Sequence, residues 1–263
     1  MDLIVNVPAR RFQDGLPSSL SDAVVNETRI ELHINGAQTR MAMLCLAENL
    51  EALAVGFLRG EGLLRRREDL ADVQALPEAR RVVVTGDFDQ EALQRLQQRW
   101  TWGSGCGGGG TSRDLDQGAY APVGEGLTLA AGRIIELVEE NQALLELWRR
   151  TGGVHGCALA DAGGIVLRAE DVGRHNAFDK VVGLATLRGV SVEDKLVICT
   201  GRLSAELVSK AVACRLPMLV TRGAVTALGV ELAKRFGLTL AGFARGKRIT
   251  VYSGFQRVTG SPG

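Results

Sequence analysis

The chain has almost no net charge: 31 lysines and arginines stand against 30 acidic residues, leaving +1. Binding a polyanion through a bulk field needs a strong basic excess, so nucleic acid is not an expected partner and any anion site has to be local. No apolar run reaches the roughly 18 residues that a membrane span needs. The opening Met1-Asp2-Leu3-Ile4-Val5-Asn6 also lacks the basic-then-apolar order of a secretory leader. A cytoplasmic protein without membrane attachment is expected. Walker A and nucleophile-elbow sequences are both missing, as is the H-x-E with P-C-x-x-C signature of a zinc deaminase. His155-Gly156-Cys157 invites a metal reading, but no second cysteine pair follows at ligand spacing, so no metal site is expected.

Cysteine is scarce and odd in number, at five. In a reducing compartment these are free thiols. Cys45 and Cys199 lie in apolar strand-like runs and Cys214 at a helix end, where a thiol serves as a small core filler. Cys106 stands apart. What the chain has in excess is glycine, 33 among 263 residues against an average of about 7%.

Six of those glycines surround Cys106 in Trp100-Thr101-Trp102-Gly103-Ser104-Gly105-Cys106-Gly107-Gly108-Gly109-Gly110-Thr111-Ser112. Glycine costs about 1 kcal/mol in a helix interior and tolerates positive φ, so the run is a loop whose backbone can approach a partner closely. Two readings stay open. It is a flexible linker that happens to contain a cysteine, or an arm whose thiol swings between two sites.

Before the loop, residues 1–27 carry no clear period and are expected as an extended arm. Thr28 to Ile34 alternates, Asn35-Gly36 supplies a hairpin turn, and Thr39 to Leu46 returns as a second strand, with His33 on the polar side. Leu50, Leu53, Ala54, Phe57 and Leu58 follow helical spacing, ended by Gly60 or Gly62. Arg65-Arg66-Arg67 is a solvated turn, Arg81 to Thr85 a strand and Asp89 to Gln98 a short helix. Residues 28–99 thus form a small α+β domain, and 100–126 the mobile glycine-rich loop.

Beyond it, residues 127–263 change rhythm. Thr128 is the expected N-cap of one long helix with apolar residues at Ile134, Leu137, Val138, Leu144, Leu145 and Trp148, closed by Gly152. Strands are expected at 154–160, 165–170, 195–200, 217–221 and 238–243, with helices at 175–188, 204–214 and 225–236. Asp161-Ala162-Gly163-Gly164 joins the first two strands as a hairpin, and the alternation that follows implies an α/β layer with a largely parallel sheet.

Four connections in this half set glycine beside arginine: Asp171-Val172-Gly173-Arg174-His175, Thr200-Gly201-Arg202-Leu203-Ser204, Thr221-Arg222-Gly223 and Ala244-Arg245-Gly246-Lys247-Arg248. The carboxyl ends of parallel strands form the ligand crevice of such a sheet, so these loops are expected to converge. Approachable backbone amides, helix N-termini and arginine forks suit a ligand with several phosphates. His155 can act as a base or ligand and His175 can contact phosphate or a ring, or both can be structural. Lys180 and Lys210 fall on expected helices, where they can serve the site or equally be solvated.

The motifs Glu170 to Lys180, Thr151-Gly152-Gly153-Val154-His155, Gly201-Arg202-Leu203-Ser204-Ala205-Glu206 and Gly242-Phe243-Ala244-Arg245-Gly246 resemble those of the formate dehydrogenase accessory sulfurtransferase family, FdhD. The likeness runs from about residue 28 to 253, and Asn35-Gly36, Cys45 and Gly56-Phe57-Leu58 fit the family's smaller N-terminal part. The resemblance implies a cytidine-deaminase-like C-terminal domain without zinc chemistry. It implies a cytoplasmic, homodimeric sulfurtransferase: a cysteine desulfurase loads sulfur onto a loop cysteine as persulfide, and the protein passes it to bis-molybdopterin guanine dinucleotide molybdenum cofactor for formate dehydrogenase.

By carry-over, Cys106 is the persulfide carrier. Arg174, Arg202, Arg222 and Arg245 hold phosphates, with His175, Gly201, Ser204 and the segment Gly242, Phe243, Ala244, Arg245, Gly246 and Lys247 at the cofactor, where a guanine nucleotide would serve as a mimic. One departure stands out: where the family typically has C-x-x-C, this chain has Gly109 in place of the second cysteine. A single thiolate suffices as sulfur acceptor. The departure keeps a second function in view, a non-catalytic chaperone for the molybdenum cofactor.

Overall fold

The computed structural model describes residues 2–36, 39–98, 101–102, 110–111 and 121–260. The segment expected as an extended arm is a two-stranded antiparallel hairpin, β1 (Ile4–Gln13) and β2 (Leu16–Val25), with ten residues paired on each side. Its turn is Asp14-Gly15, both at positive φ, the two-residue pattern that matches strand twist. The ribbon buries neither face fully, which erased the alternation that would have announced it.

The N-terminal unit is a four-stranded sheet of order β4-β3-β6-β5, formed by β3 (Glu27–Ile34), β4 (Thr39–Leu46), β5 (Leu70–Leu76) and β6 (Arg81–Gly86). Helices α1 (Leu50–Gly60) and α2 (Gln90–Gln98) close one face, packing Leu53, Phe57 and Leu93 on Ile30, Leu32 and Val84. His33, read as solvated, is buried, and its Nε2 lies 3.2 Å from Glu31 Oε2. The pairing of β3 with β6 on its second edge covers it. Two short pairs, β7 (Thr101–Trp102) with β8 (Gly110–Thr111) and β9 (Leu129–Ala130) with β16 (Val258–Thr259), complete the strands.

The C-terminal unit is built on β10 (His155–Asp161), β11 (Gly164–Asp171), β12 (Leu196–Cys199), β13 (Met218–Thr221), β14 (Thr239–Arg245) and β15 (Arg248–Ser253), in the order β11-β10-β12-β13-β14-β15. Only β12, β13 and β14 run parallel; the other three pairings are antiparallel, so the expected largely parallel sheet is a mixed one. Hairpins at both ends account for the difference. Val197 and Cys199 face α5 (Arg174–Leu187) and α6 (Ala205–Ala213), with α7 (Ala227–Arg235) beside them, while Leu196 and Ile198 face α3 (Ala131–Ala143). Apolar residues on both faces of each central strand fit a sheet covered on both sides.

The expected single helix from Thr128 is two. Ala130, in extended conformation, precedes α3, and the chain breaks at Leu144-Leu145 before α4 (Glu146–Thr151). Leu145 is fully buried against Gly156, and the Glu170 carboxylate takes the amides of Glu146, Leu147 and Trp148 at 3.0, 3.1 and 2.9 Å. A buried acceptor for three orphan N–H groups starts a new helix where periodicity alone continued the old one.

The two units meet along α1 and α5. Gly56 and Gly183 mark their closest approach: a Cβ on Gly56 would stand 1.7 Å from the Asp179 carbonyl oxygen, and one on Gly183 1.8 Å from that of Ala52. Lys180 and Lys210 are buried at this junction rather than solvated. Lys180 pairs with Asp171 and donates to the Leu46 carbonyl at 3.2 Å; Lys210 lies 2.5 Å from Asp179 and 3.9 Å from Glu61. The apolar-looking stretch of α5 gave no sign that its lysine has a carboxylate waiting inside.

Candidate functional site

The expected convergence of the glycine-arginine connections is present. Because β10 pairs antiparallel with both β11 and β12, the start of β10 lies at the same edge as the ends of β11, β12, β13 and β14. His155 opposes Asp171, and the Thr200 amide donates to the Gly156 carbonyl at 3.0 Å. This edge is the carboxyl end of the parallel strands, where α/β sheets hold ligands.

Threonines stitch the loops together. The Thr200 hydroxyl accepts from Gly156 N at 3.1 Å and lies 3.3 Å from His155 Nδ1. Thr221 donates its hydroxyl to the Gly201 carbonyl at 2.7 Å and accepts from Gly223 N at 2.9 Å. Gly201 fits a gap in which a Cβ would come within 3.0 Å of Arg174 and 3.3 Å of His155 Nδ1. His155, Arg174, Thr200 and Gly201 therefore form one contiguous group.

The arginines divide into two kinds. Arg174 is 8% exposed, held in the first turn of α5 beneath Gly201. His175 is likewise inside, its Nε2 3.0 Å from Glu206 Oε2. Burial holds both His155 and His175 below the ordinary histidine value, opposed for His175 by its bond to Glu206, so both are neutral near pH 7. Arg202, Arg245 and Lys247 are exposed at the rim, and Arg222 is partly so. Ser204, expected near the ligand, caps α6 and is 4% exposed; among the described residues its hydroxyl has no partner.

The Gly242–Lys247 segment contains a bulge. Between the pairs Gly242 with Thr250 and Arg245 with Arg248 the register shifts, and Phe243 takes φ 52°, a left-handed conformation that side chains avoid. Its amide donates to the Gly223 carbonyl at 2.8 Å, and the Arg248 guanidinium lies 5.7 Å from its ring. Phe243 is half-buried, whereas Ala244 is fully buried in the layer under α3. The Ala244 methyl is thus core, and the outward groups of the segment are Phe243, Arg245, Gly246 and Lys247. Glu139 of α3 bridges the rim, 3.9 Å from Arg222 Nη1 and accepting from Gly246 N at 3.4 Å.

A cleft of about 520 Å³ opens at this edge, walled by Gln142, Trp148, Gly153, His155, Thr200 and Arg222 among others. Gln142, Trp148 and Glu139 were not expected here. Helical spacing puts Trp148 on the apolar face of a single long helix; with the break at Leu145 it sits in α4, partly exposed.

Cys106 lies outside the described residues. The other four cysteines are buried, none more than 1% exposed. Burial pushes the Cys45 thiol up to about 12 and Cys157 well above its usual range, with Cys199 Sγ 3.2 Å away adding to it. Thiols sealed from solvent are poor nucleophiles.

The family described as FdhD/NarQ matches residues 25–259. A sulfur carrier protein FdhD from Wolinella succinogenes is 38% identical over 237 residues, covering 90% of this chain and 82% of that protein. One from Listeria innocua is 31% identical over 262 residues, covering 98% and 100%. A crystal structure described as a formate dehydrogenase accessory protein, from Desulfotalea psychrophila, superposes with a TM-score of 0.81 at 27% identity over 98% of this chain and 100% of that one.

Proposed function

The chain belongs to the FdhD/NarQ family, and we propose that it is a sulfur carrier serving formate dehydrogenase, with Cys106 as the carrying thiol. The Cys106 thiolate attacks the terminal sulfur of a persulfide on a cysteine desulfurase. A new S–S bond forms at Cys106, the donor's S–S bond breaks, and the donor leaves as a thiolate. Cys106 then hands that sulfur to the molybdenum of bis-molybdopterin guanine dinucleotide, the substrate held at the crevice: the S–S bond at Cys106 breaks, Cys106 leaves as a thiolate, and molybdenum in its reduced state supplies the two electrons that make the transferred sulfur a sulfide ligand.

The observation that carries this reading is the sealing of Cys45, Cys157, Cys199 and Cys214. Four buried thiols leave Cys106, on its glycine-rich segment, as the residue fit for exchange. The crevice supplies the matching half: the Gly201 amide, the Gly246 amide once Glu139 releases it, and cations at Arg202, Arg222, Arg245 and Lys247 suit a ligand with several phosphates. With His155 and His175 neutral, the charge offered to it comes from arginine and lysine. A homodimer in the cytoplasm completes the proposal.

The test is transfer of labelled sulfur from a cysteine desulfurase. Wild-type protein acquires the label and Cys106→Ser, of unchanged fold, does not; full labelling of that variant overturns the assignment. Gly109, in the place of a second cysteine, favours one other reading, a chaperone that delivers the molybdenum cofactor without sulfur chemistry. Mass spectrometry after desulfurase treatment separates them, since only the carrier gains one sulfur atom at Cys106.

A further inference from the structure

We infer that Trp148 is the platform on which a planar nucleobase stacks in the crevice, an assignment that rests on the nucleotide-binding reading above. The side chain is 42% exposed. A solitary exposed aromatic needs no explanation, but this one walls a concave cleft that also presents the Gln142 amide, His155 and the Arg222 guanidinium. A large flat apolar surface beside a few polar groups and a cation is the composition of a site for a heteroaromatic ring bearing phosphates.

The backbone beneath the ring is fixed from both sides. Glu170 accepts from Trp148 N at 2.9 Å while its other oxygen holds the two preceding amides. Gly152 N donates to the Trp148 carbonyl at 2.7 Å, and the Thr151 hydroxyl to that of Leu147 at 2.8 Å. A helix of only six residues is marginal by itself. Here a buried carboxylate and a left-handed glycine hold it in place, so the indole is presented with little backbone freedom left to lose on binding, which favours affinity.

The floor is correspondingly open. Gly152, at φ +65°, has no atom of the described residues within 4 Å of where a Cβ would stand, so this position adds no bulk to the cleft. Arg222 lines the same cleft, and with Arg202 and Lys247 on the neighbouring loops it provides charge for the phosphates attached to that ring.

The experiment is calorimetric titration of the full chain with GDP and, separately, with pyrophosphate, which has no ring. Stacking lost on alanine substitution weakens base binding by roughly 5- to 150-fold. Trp148→Ala and Trp148→Leu are expected to lose GDP affinity in that range, Trp148→Phe to stay within about threefold of wild type, and pyrophosphate to bind all four proteins alike. Equal GDP affinity in wild type and Trp148→Ala overturns the stacking assignment and leaves the crevice reading standing. Parallel loss of GDP and pyrophosphate in the alanine and leucine variants also overturns it, because the damage would then be to the cleft. Failure of wild type to bind either ligand overturns both.

Discussion

Lys180 Nζ lies 2.7 Å from Asp171 Oδ2, with both side chains wholly shielded from solvent. The second half of this arrangement is what Asp171 does besides. Its Oδ2 accepts from Leu46 N at 3.0 Å, and its Oδ1 from Gly173 N and Asn176 Nδ2 at 3.1 and 2.8 Å. One carboxylate thereby ties β4 of the N-terminal unit to the loop that opens α5 and carries Arg174.

Lys180→Met is expected to destabilise the protein by about 3–5 kcal/mol, because it leaves the Asp171 charge buried without its partner. Adding Asp171→Asn recovers part of that loss, since no isolated charge then remains. Urea unfolding of the two variants measures it, and a single variant as stable as wild type counts against the pair.

The α1–α5 crossing should tolerate no side chain at its nearest point. A methyl at Gly183 or Gly56 would overlap a backbone oxygen, and backbone cannot step aside as a flexible side chain can. Gly183→Ala and Gly56→Ala are expected to cost at least the 1–3 kcal/mol typical of overpacking, read as a lowered melting temperature. Gly189→Ala, at φ +67° with open space around it, tests backbone strain without a clash.

Glu139 occupies Arg222 and the Gly246 amide, two donors of the proposed phosphate site. Glu139→Gln is expected to raise affinity for GDP and for pyrophosphate by about 1.4- to 5-fold, the equivalent of the roughly 0.2–1 kcal/mol of a partly exposed ion pair. Calorimetry at fixed salt gives the answer; unchanged affinity for both removes Glu139 as a competitor.

Burial lowers the native pKa of His155 and His175, whereas in the unfolded chain a histidine titrates near 6.5. Above that value neither state binds the proton and stability is unaffected. Below it the unfolded state takes up protons first, so stability falls with pH until the native histidines also titrate. The unfolding midpoint is expected to drop between pH 7 and 5.5, and less steeply in a His155→Gln, His175→Gln variant.

Much of the C-terminal unit was legible because its strands and helices are long, apolar and punctuated by glycine. Convergence of the four loops also followed from the order of elements. What stayed hidden depended on partners distant in sequence. Lys180 reads as an ordinary helical lysine until Asp171 is brought under it, and Trp148 as a core residue until Glu170 starts a new helix beneath it. His33 looked solvated because a second pairing edge on β3 is invisible to alternation. The β1–β2 hairpin was missed for the opposite reason: its Asp14-Gly15 turn was in plain view, but strands with little buried surface carry no hydrophobic signature.

Glu170 and Asp171 are consecutive on β11, and consecutive residues of a strand point to opposite faces. The first grips the segment under Trp148; the second grips β4 and Lys180. β11 is in effect an axle with a crank on each side. The indole wall and the seating of the N-terminal unit therefore rest on adjacent residues of a single strand.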